Sequence, residues 1–78
     1  MSSELTKAEE ERDWYGELGI EFGATDEAIS KAFKKLSLKY HPDKNPGDKA
    51  AENKFVAVKE AKEFLLEPKK RKAYDEKR

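Results

Sequence analysis

His41, Pro42, Asp43 and Lys44 stand in a row at the point where an amphipathic stretch ends. An imidazole, a carboxylate and an ammonium this close together could move protons, hold a cation or pair with a charged partner. Acid/base or nucleophilic catalysis needs a nucleophile within hydrogen-bond reach of the base, and a third group to orient it. The chain has no cysteine, and Ser30 and Ser37 fall inside a predicted helix rather than on a strained turn. No catalytic residue is expected, and the chain does not read as an enzyme. Asp43, Lys44, Asn45 and Gly47 approach the composition of a calcium loop, which requires glycine at its sixth position and glutamate at its twelfth. Counted from Asp43, those positions hold Asp48 and Lys54. Neither a metal nor a cofactor is expected. Two readings remain: a helix stop in which Asp43 bonds local backbone, or a tip that another protein recognises.

The elements that must position this tip follow from caps and periodicity. Asp13 to Ile20 reads as a short helix, with Asp13 as its N-cap and Gly19 as its stop. Thr25 caps a second helix whose first turn carries Asp26 and Glu27, as the helix dipole prefers. Ile29, Phe33, Leu36 and Tyr40 form its apolar stripe, with Ala32 at the edge. Pro42 cannot donate a backbone bond and disfavours helix at the residue before it, so this helix should end near Tyr40 or His41. A loop over Pro42 to Lys49 follows, punctuated by Pro46 and Gly47. A third helix is predicted from about Ala50 to Glu67, with Ala51, Phe55, Val58, Leu65 and Leu66 facing the core. Pro68 limits it and opens a fourth, short helix to about Asp75, with Ala73 and Tyr74 turned inward.

The far side of the second helix is basic, with Lys31, Lys34 and Lys35 there and Lys39 nearer the boundary. Leu38 projects among these lysines, where a leucine has no core role. The plain reading is a solvated charged face. The more particular one is a docking surface for an acidic partner, with a small apolar contact at its centre. The run Lys69-Lys70-Arg71-Lys72 has the composition of a nuclear-import patch, although the solvent side of the fourth helix is the simpler account.

At 78 residues the chain makes one small domain, near the lower limit for a core without staples. Charged residues reach 44%, yet the apolar ones are periodic, which argues for a folded domain. Seventeen residues of each sign cancel to a net charge of zero, so nucleic acid is not an expected partner. No apolar run approaches the length of a membrane span. Residues 1–12, with Glu9, Glu10 and Glu11 in succession, are expected to be a polar, solvated lead-in.

Taken in order, Asp13-Trp14-Tyr15, Leu18-Gly19-Ile20, Lys39-Tyr40-His41-Pro42-Asp43-Lys44-Asn45 and Lys70-Arg71-Lys72-Ala73-Tyr74-Asp75 resemble the J domain of DnaJ-type co-chaperones. The resemblance runs from Asp13 to the end; His-Pro-Asp alone would not be specific, but the ordered set is. It implies an all-α, four-helix J-domain fold over residues 13–78, with a long antiparallel hairpin of the second and third helices and short first and fourth ones. It also implies a partner, the DnaK-type heat-shock protein 70 chaperone in its ATP state, whose ATP hydrolysis the domain stimulates.

Carried over by position, His41, Pro42 and Asp43 are the activating loop. Lys31, Lys34, Lys35, Leu38 and Lys39 are the docking face, Lys44 and Asn45 continue the loop surface, and Phe55 supports the loop close to the partner. The isolated domain is expected to be a monomer in an intracellular, cytoplasmic or nuclear, setting. Three positions depart from the family pattern. Ser30 stands where many members place a basic residue, Trp14 where tyrosine is usual, and Lys62 where tyrosine commonly packs on the second helix. The Lys62 stem is expected to cover that surface while its ammonium reaches water.

Overall fold

Five side chains set the helix starts. The oxygens of Thr6, Asp13, Thr25, Asp48 and Glu67 each accept a bond from the backbone N–H three residues on, those of Glu9, Gly16, Ala28, Ala51 and Lys70. Each satisfies one of the amide donors that a helix start leaves free. The computed structural model describes residues 5–77 and contains α1 (Lys7–Glu11), α2 (Trp14–Glu17), α3 (Asp26–Lys39), α4 (Lys49–Leu65) and α5 (Pro68–Glu76). The fold is all-helical, and the four expected helices are preceded by a further short one.

The helix ends have equally local causes. Past α2, Gly19 N–H bonds the Gly16 carbonyl and Ile20 N–H bonds that of Tyr15. Gly19 sits at φ 67°, the left-handed geometry that lets the chain double back. This closes the helix at Glu17, three residues before Ile20. Tyr40 is the C-cap of α3, two residues before Pro42, as expected from the proline. Helix α4 stops at Leu65, short of Glu67, because the Glu67 carboxylate is engaged as the cap of α5.

Helices α3 and α4 run antiparallel. His41 meets Phe55 while Phe33 meets Lys62, so ascending one helix means descending the other. Ile29 from α3 and Val58, Ala61, Phe64 and Leu65 from α4 are buried with Trp14, Tyr15 and Leu18 around α2 and Tyr74 of α5. Ala32, Phe33 and Leu36 pack on this core while partly exposed. A fully buried aliphatic or aromatic side chain stabilises by about 1.5–3 kcal/mol, so these few residues dominate the fold's stability. Phe64, outside the expected core stripe but a candidate to supply area beside Lys62, is buried and stacks on Trp14 with centroids 4.2 Å apart and planes 7° from parallel. Phe55 and Leu66, both expected in the core, are half-buried. The Lys62 ammonium lies 4.9 Å from the Phe33 ring centroid, so the stem covers α3 as expected and the charge rests on an aromatic face.

The N-terminal segment is the expected solvated lead-in only in part: Thr6, Lys7, Ala8 and Glu11 are exposed, but Leu5, Glu9, Glu10 and Arg12 are tied to the rest of the fold. Residues 1–4 of that segment, and Arg78 at the other end of the domain, lie outside the described residues. Leu5 is buried in the core. Thr6 and Glu9 form a reciprocal capping box, and Trp14 Nε1 donates to the Glu9 carbonyl at 2.8 Å. Lys70 of α5 pairs with Glu9 at 3.0 Å, and Lys77 with Glu10 at 3.3 Å. The Arg12 guanidinium lies 4.0 Å from the Trp14 ring centroid and bonds Glu17 and Glu60. Those bonds, Glu17's first, raise its pKa above the usual arginine value. Glutamates that look solvated in sequence are thus the partners of cations more than fifty residues away.

The basic run on α5 divides for the same reason. Lys70 reaches Glu9, and Arg71 bonds the Tyr15 hydroxyl, the Ala24 carbonyl, Asp26 and Asp75. Lys69 and Lys72 stay exposed. Among the described residues no helix is long and apolar enough to cross a membrane.

Candidate functional site

The end of α3 shapes the tip. Pro42 brings no N–H, so the carbonyls of the last turn must find donors beyond it. The His41 carbonyl accepts from Lys44 N–H at 3.0 Å, from Asn45 N–H at 3.1 Å and from Asn45 Nδ2 at 3.1 Å. Asn45 Nδ2 also donates to the Lys39 carbonyl at 2.9 Å. Asn45 is half-buried, its side-chain amide turned to the backbone of α3 rather than extending the loop surface outward.

Above this base the polar groups point to solvent. The Asp43 side chain is 92% exposed, and its carboxylate comes no closer to His41 Nδ1 than 3.8 Å. Asp43 N–H donates to that same nitrogen at 3.1 Å. Nδ1 thus faces the Asp43 backbone as an acceptor. The other side of the imidazole meets Phe55 edge-on, with centroids 5.6 Å apart and planes at 80°. His41 and Phe55 therefore buttress the loop across the hairpin, and Pro42 and Asp43 form its free crest.

The lysines lie on the neighbouring face. Lys31, Lys34, Lys35 and Leu38 recur at the spacing of one helix side, and all four are exposed, Leu38 at 52%. Lys39 is also exposed, its ammonium 5.4 Å from the Tyr40 ring centroid, and Lys44 stands exposed beside Asp43. Among the described residues none of these five lysines forms an ion pair. Elsewhere Arg12, Lys70, Arg71 and Lys77 are all paired. Four cations thus tie the fold together, and the lysines of α3 and its loop are among those that do not. Lys69 and Lys72 of α5 are likewise without an ion pair among the described residues, so the α3 lysines are distinguished by sharing one side beside the tip. Ser30 shares a shallow open recess with Lys31 and Lys34, adding no charge there.

Chemically the site can attract and orient a charged partner. Among the described residues no serine or threonine hydroxyl bonds the imidazole. Among the described residues no group of three or more histidine, aspartate or glutamate side chains could hold a metal ion. What it offers is a field of free ammonium groups, one apolar contact at Leu38, and an exposed carboxylate on a braced loop.

Comparison with known proteins bears on the same stretch. The family model described as the DnaJ domain matches residues 13–75. A DnaJ-like protein of Synechocystis is 55% identical over 65 residues, covering 83% of this chain and 20% of its own length. The chaperone protein DnaJ of Acetivibrio thermocellus is 55% identical over 65 residues, 83% of this chain and 17% of its own. That of Ehrlichia ruminantium is 57% identical over 63 residues, 81% and 16% respectively. The chain thus spans a fifth or less of the length of these relatives.

Proposed function

The chain belongs to the DnaJ-domain family, and from that premise we propose that it is a co-chaperone J domain acting on a DnaK-type heat-shock protein 70. It binds the ATP state of that chaperone and stimulates hydrolysis, carrying out no chemistry itself. The observation that carries this reading is the exposed Asp43 crest standing beside lysines that the fold leaves unpaired.

Free ammonium groups on α3 and Lys44 steer the domain toward an acidic surface, raising the association rate and fixing orientation. Leu38 adds local apolar burial once the surfaces meet. Asp43 then accepts hydrogen bonds or pairs with a cation of the partner. An effector can only shift an equilibrium by binding one state better than the other, so the tip must prefer the arrangement competent for hydrolysis. Braced from below, it keeps its geometry and loses little entropy on binding. An intracellular setting and a monomeric domain belong to the same proposal.

Single-turnover ATP hydrolysis by a DnaK-type chaperone, with and without the domain, tests it. Stimulation is expected with the parent and lost in His41→Gln and Asp43→Asn. Asp43 is so exposed that its substitution should change stability by no more than about 0.5 kcal/mol, so helical circular dichroism is retained. Variants that stimulate as well as the parent would remove the tip from the mechanism. Retention of DNA or RNA on filters that outlasts raised salt would favour a nucleic-acid role instead.

A further inference from the structure

Resting on the reading above, we propose that Asn45 is a positioning residue, the clasp that holds the His41–Asp43 crest in its active geometry, and not a contact for the partner. Asn45 spends all of its N–H donors, side chain and backbone alike, inside the hairpin. Its side-chain amide bridges the Lys39 and His41 carbonyls at 2.9 and 3.1 Å. Its backbone N–H reaches the His41 and Pro42 carbonyls at 3.1 and 3.2 Å, and its own carbonyl accepts from Asp48 N–H at 3.1 Å. One residue thus joins the last turn of α3, the crest and the cap of α4.

The need for such a clasp follows from Pro42. With no N–H at that position, only residues 43, 44 and 45 can return donors to the end of α3, and the Asp43 N–H is already taken by His41 Nδ1. The Lys39 carbonyl receives the Asn45 amide from six residues on, beyond the reach of ordinary helical bonding. Asp43 itself has no such anchor, since its side chain is 92% exposed. The orientation of the carboxylate is therefore set by the loop beneath it, and the loop is set by Asn45.

Asn45→Asp is nearly isosteric yet presents an anionic acceptor to two carbonyl oxygens, so it opens the clasp without emptying the space. Loss of two hydrogen bonds is enough to shift an ordered loop's population about tenfold. At saturating domain, the maximal stimulation of single-turnover hydrolysis is expected to fall about tenfold. The half-saturating concentration should stay within about twofold, because the lysine face is untouched. Val58→Ala, a core change away from the loop, serves as the control for lowered stability, assayed with Asn45→Asp at matched fractions folded. It should lose no maximal stimulation. Amide hydrogen exchange in the free domain gives a readout independent of any partner: the N–H groups of residues 44 and 45 should lose protection in Asn45→Asp. A raised half-saturating concentration with full maximal stimulation would make Asn45 a contact and overturn the proposal. So would unchanged protection, or a loss of stimulation shared with Val58→Ala. If the parent itself fails to stimulate, the co-chaperone reading falls, and the exchange experiment still decides the clasp.

Discussion

The indole of Trp14 lies flat on the ring of Phe64, centroids 4.2 Å apart, while its N–H donates to the Glu9 carbonyl at 2.8 Å. A tyrosine at this position would have no donor at the same place on the ring, so the usual family residue could stack but not reach α1 in this way. Trp14 therefore couples a helix outside the matched region to the shared core. Trp14→Ala is expected to cost about 3–5 kcal/mol, as large aromatic truncations do. Trp14→Phe keeps the stack and should cost about 1 kcal/mol through the lost bond. Removal of residues 1–12 should make that smaller loss disappear, because the acceptor is gone. Urea unfolding followed by circular dichroism would measure the cycle; additive losses would mean that the bond contributes nothing.

Acid should loosen α1 in a particular sense. The Thr6 N–H, and next the Lys70 ammonium, hold the Glu9 carboxyl below its ordinary value of 4.5. A carboxyl lowered in the folded state contributes stability that is complete above its unfolded pKa and lost as pH falls through the folded one. Parent and Glu9→Gln should therefore differ most in Tm near neutral pH and converge as the pH falls below the ordinary carboxylate range. A gap that stays constant into acid would show that the Glu9 charge is not what binds α1 to α5.

The run at the start of α5 should split under substitution. Arg71 is mostly buried and bonds the Tyr15 hydroxyl, the Ala24 carbonyl, Asp26 and Asp75, whereas Lys69 and Lys72 are exposed. Arg71→Ala is expected to destabilise by about 2–3 kcal/mol, since it strands hydrogen-bond partners of a charged group. Lys69→Ala and Lys72→Ala should each stay within about 0.5 kcal/mol. Equal losses at all three positions, measured by chemical denaturation, would make Arg71 an ordinary surface cation.

These contrasts show which parts of the molecule one sequence discloses. The caps at Asp13 and Thr25, the stop before Pro42 and the turn at Gly19 are local, so residue type and spacing suffice to find them. The lysine side of α3 with Leu38 was legible because helical periodicity alone decides which residues share a side. Three features were not read. Helix α1 carried a signal, Thr6 followed three residues later by Glu9, but the acidic run around it reads as solvated unless Lys70 and Lys77 are known to be near. Arg71 is indistinguishable in sequence from the lysines beside it, and its burial comes from how α5 meets the α2–α3 connection. Asn45 reads as loop surface because the direction of its amide depends on the path of the turn after Pro42. Each of these depends on contacts between segments distant in sequence or on the route of a loop, where periodicity carries no information.

The division of labour between ridge and crest gives the last expectation. Lys34 and Lys35 are exposed and unpaired, so reversing both to glutamate removes attraction and adds repulsion without disturbing the core. The half-saturating concentration for stimulation of a DnaK-type chaperone should rise about tenfold or more at low salt. Because exposed charges are screened within about 10 Å at moderate ionic strength, the gap from the parent should narrow as salt is raised. Maximal stimulation should survive at saturating domain, since His41, Pro42 and Asp43 are unchanged. Leu38→Ala should behave differently, weakening binding about fivefold at every salt concentration, because burial of its exposed half is not a charge effect. A salt-independent defect in the charge reversal, or a salt-dependent one at Leu38, would mean that attraction and apolar contact are not divided between these residues as the exposed face of α3 suggests.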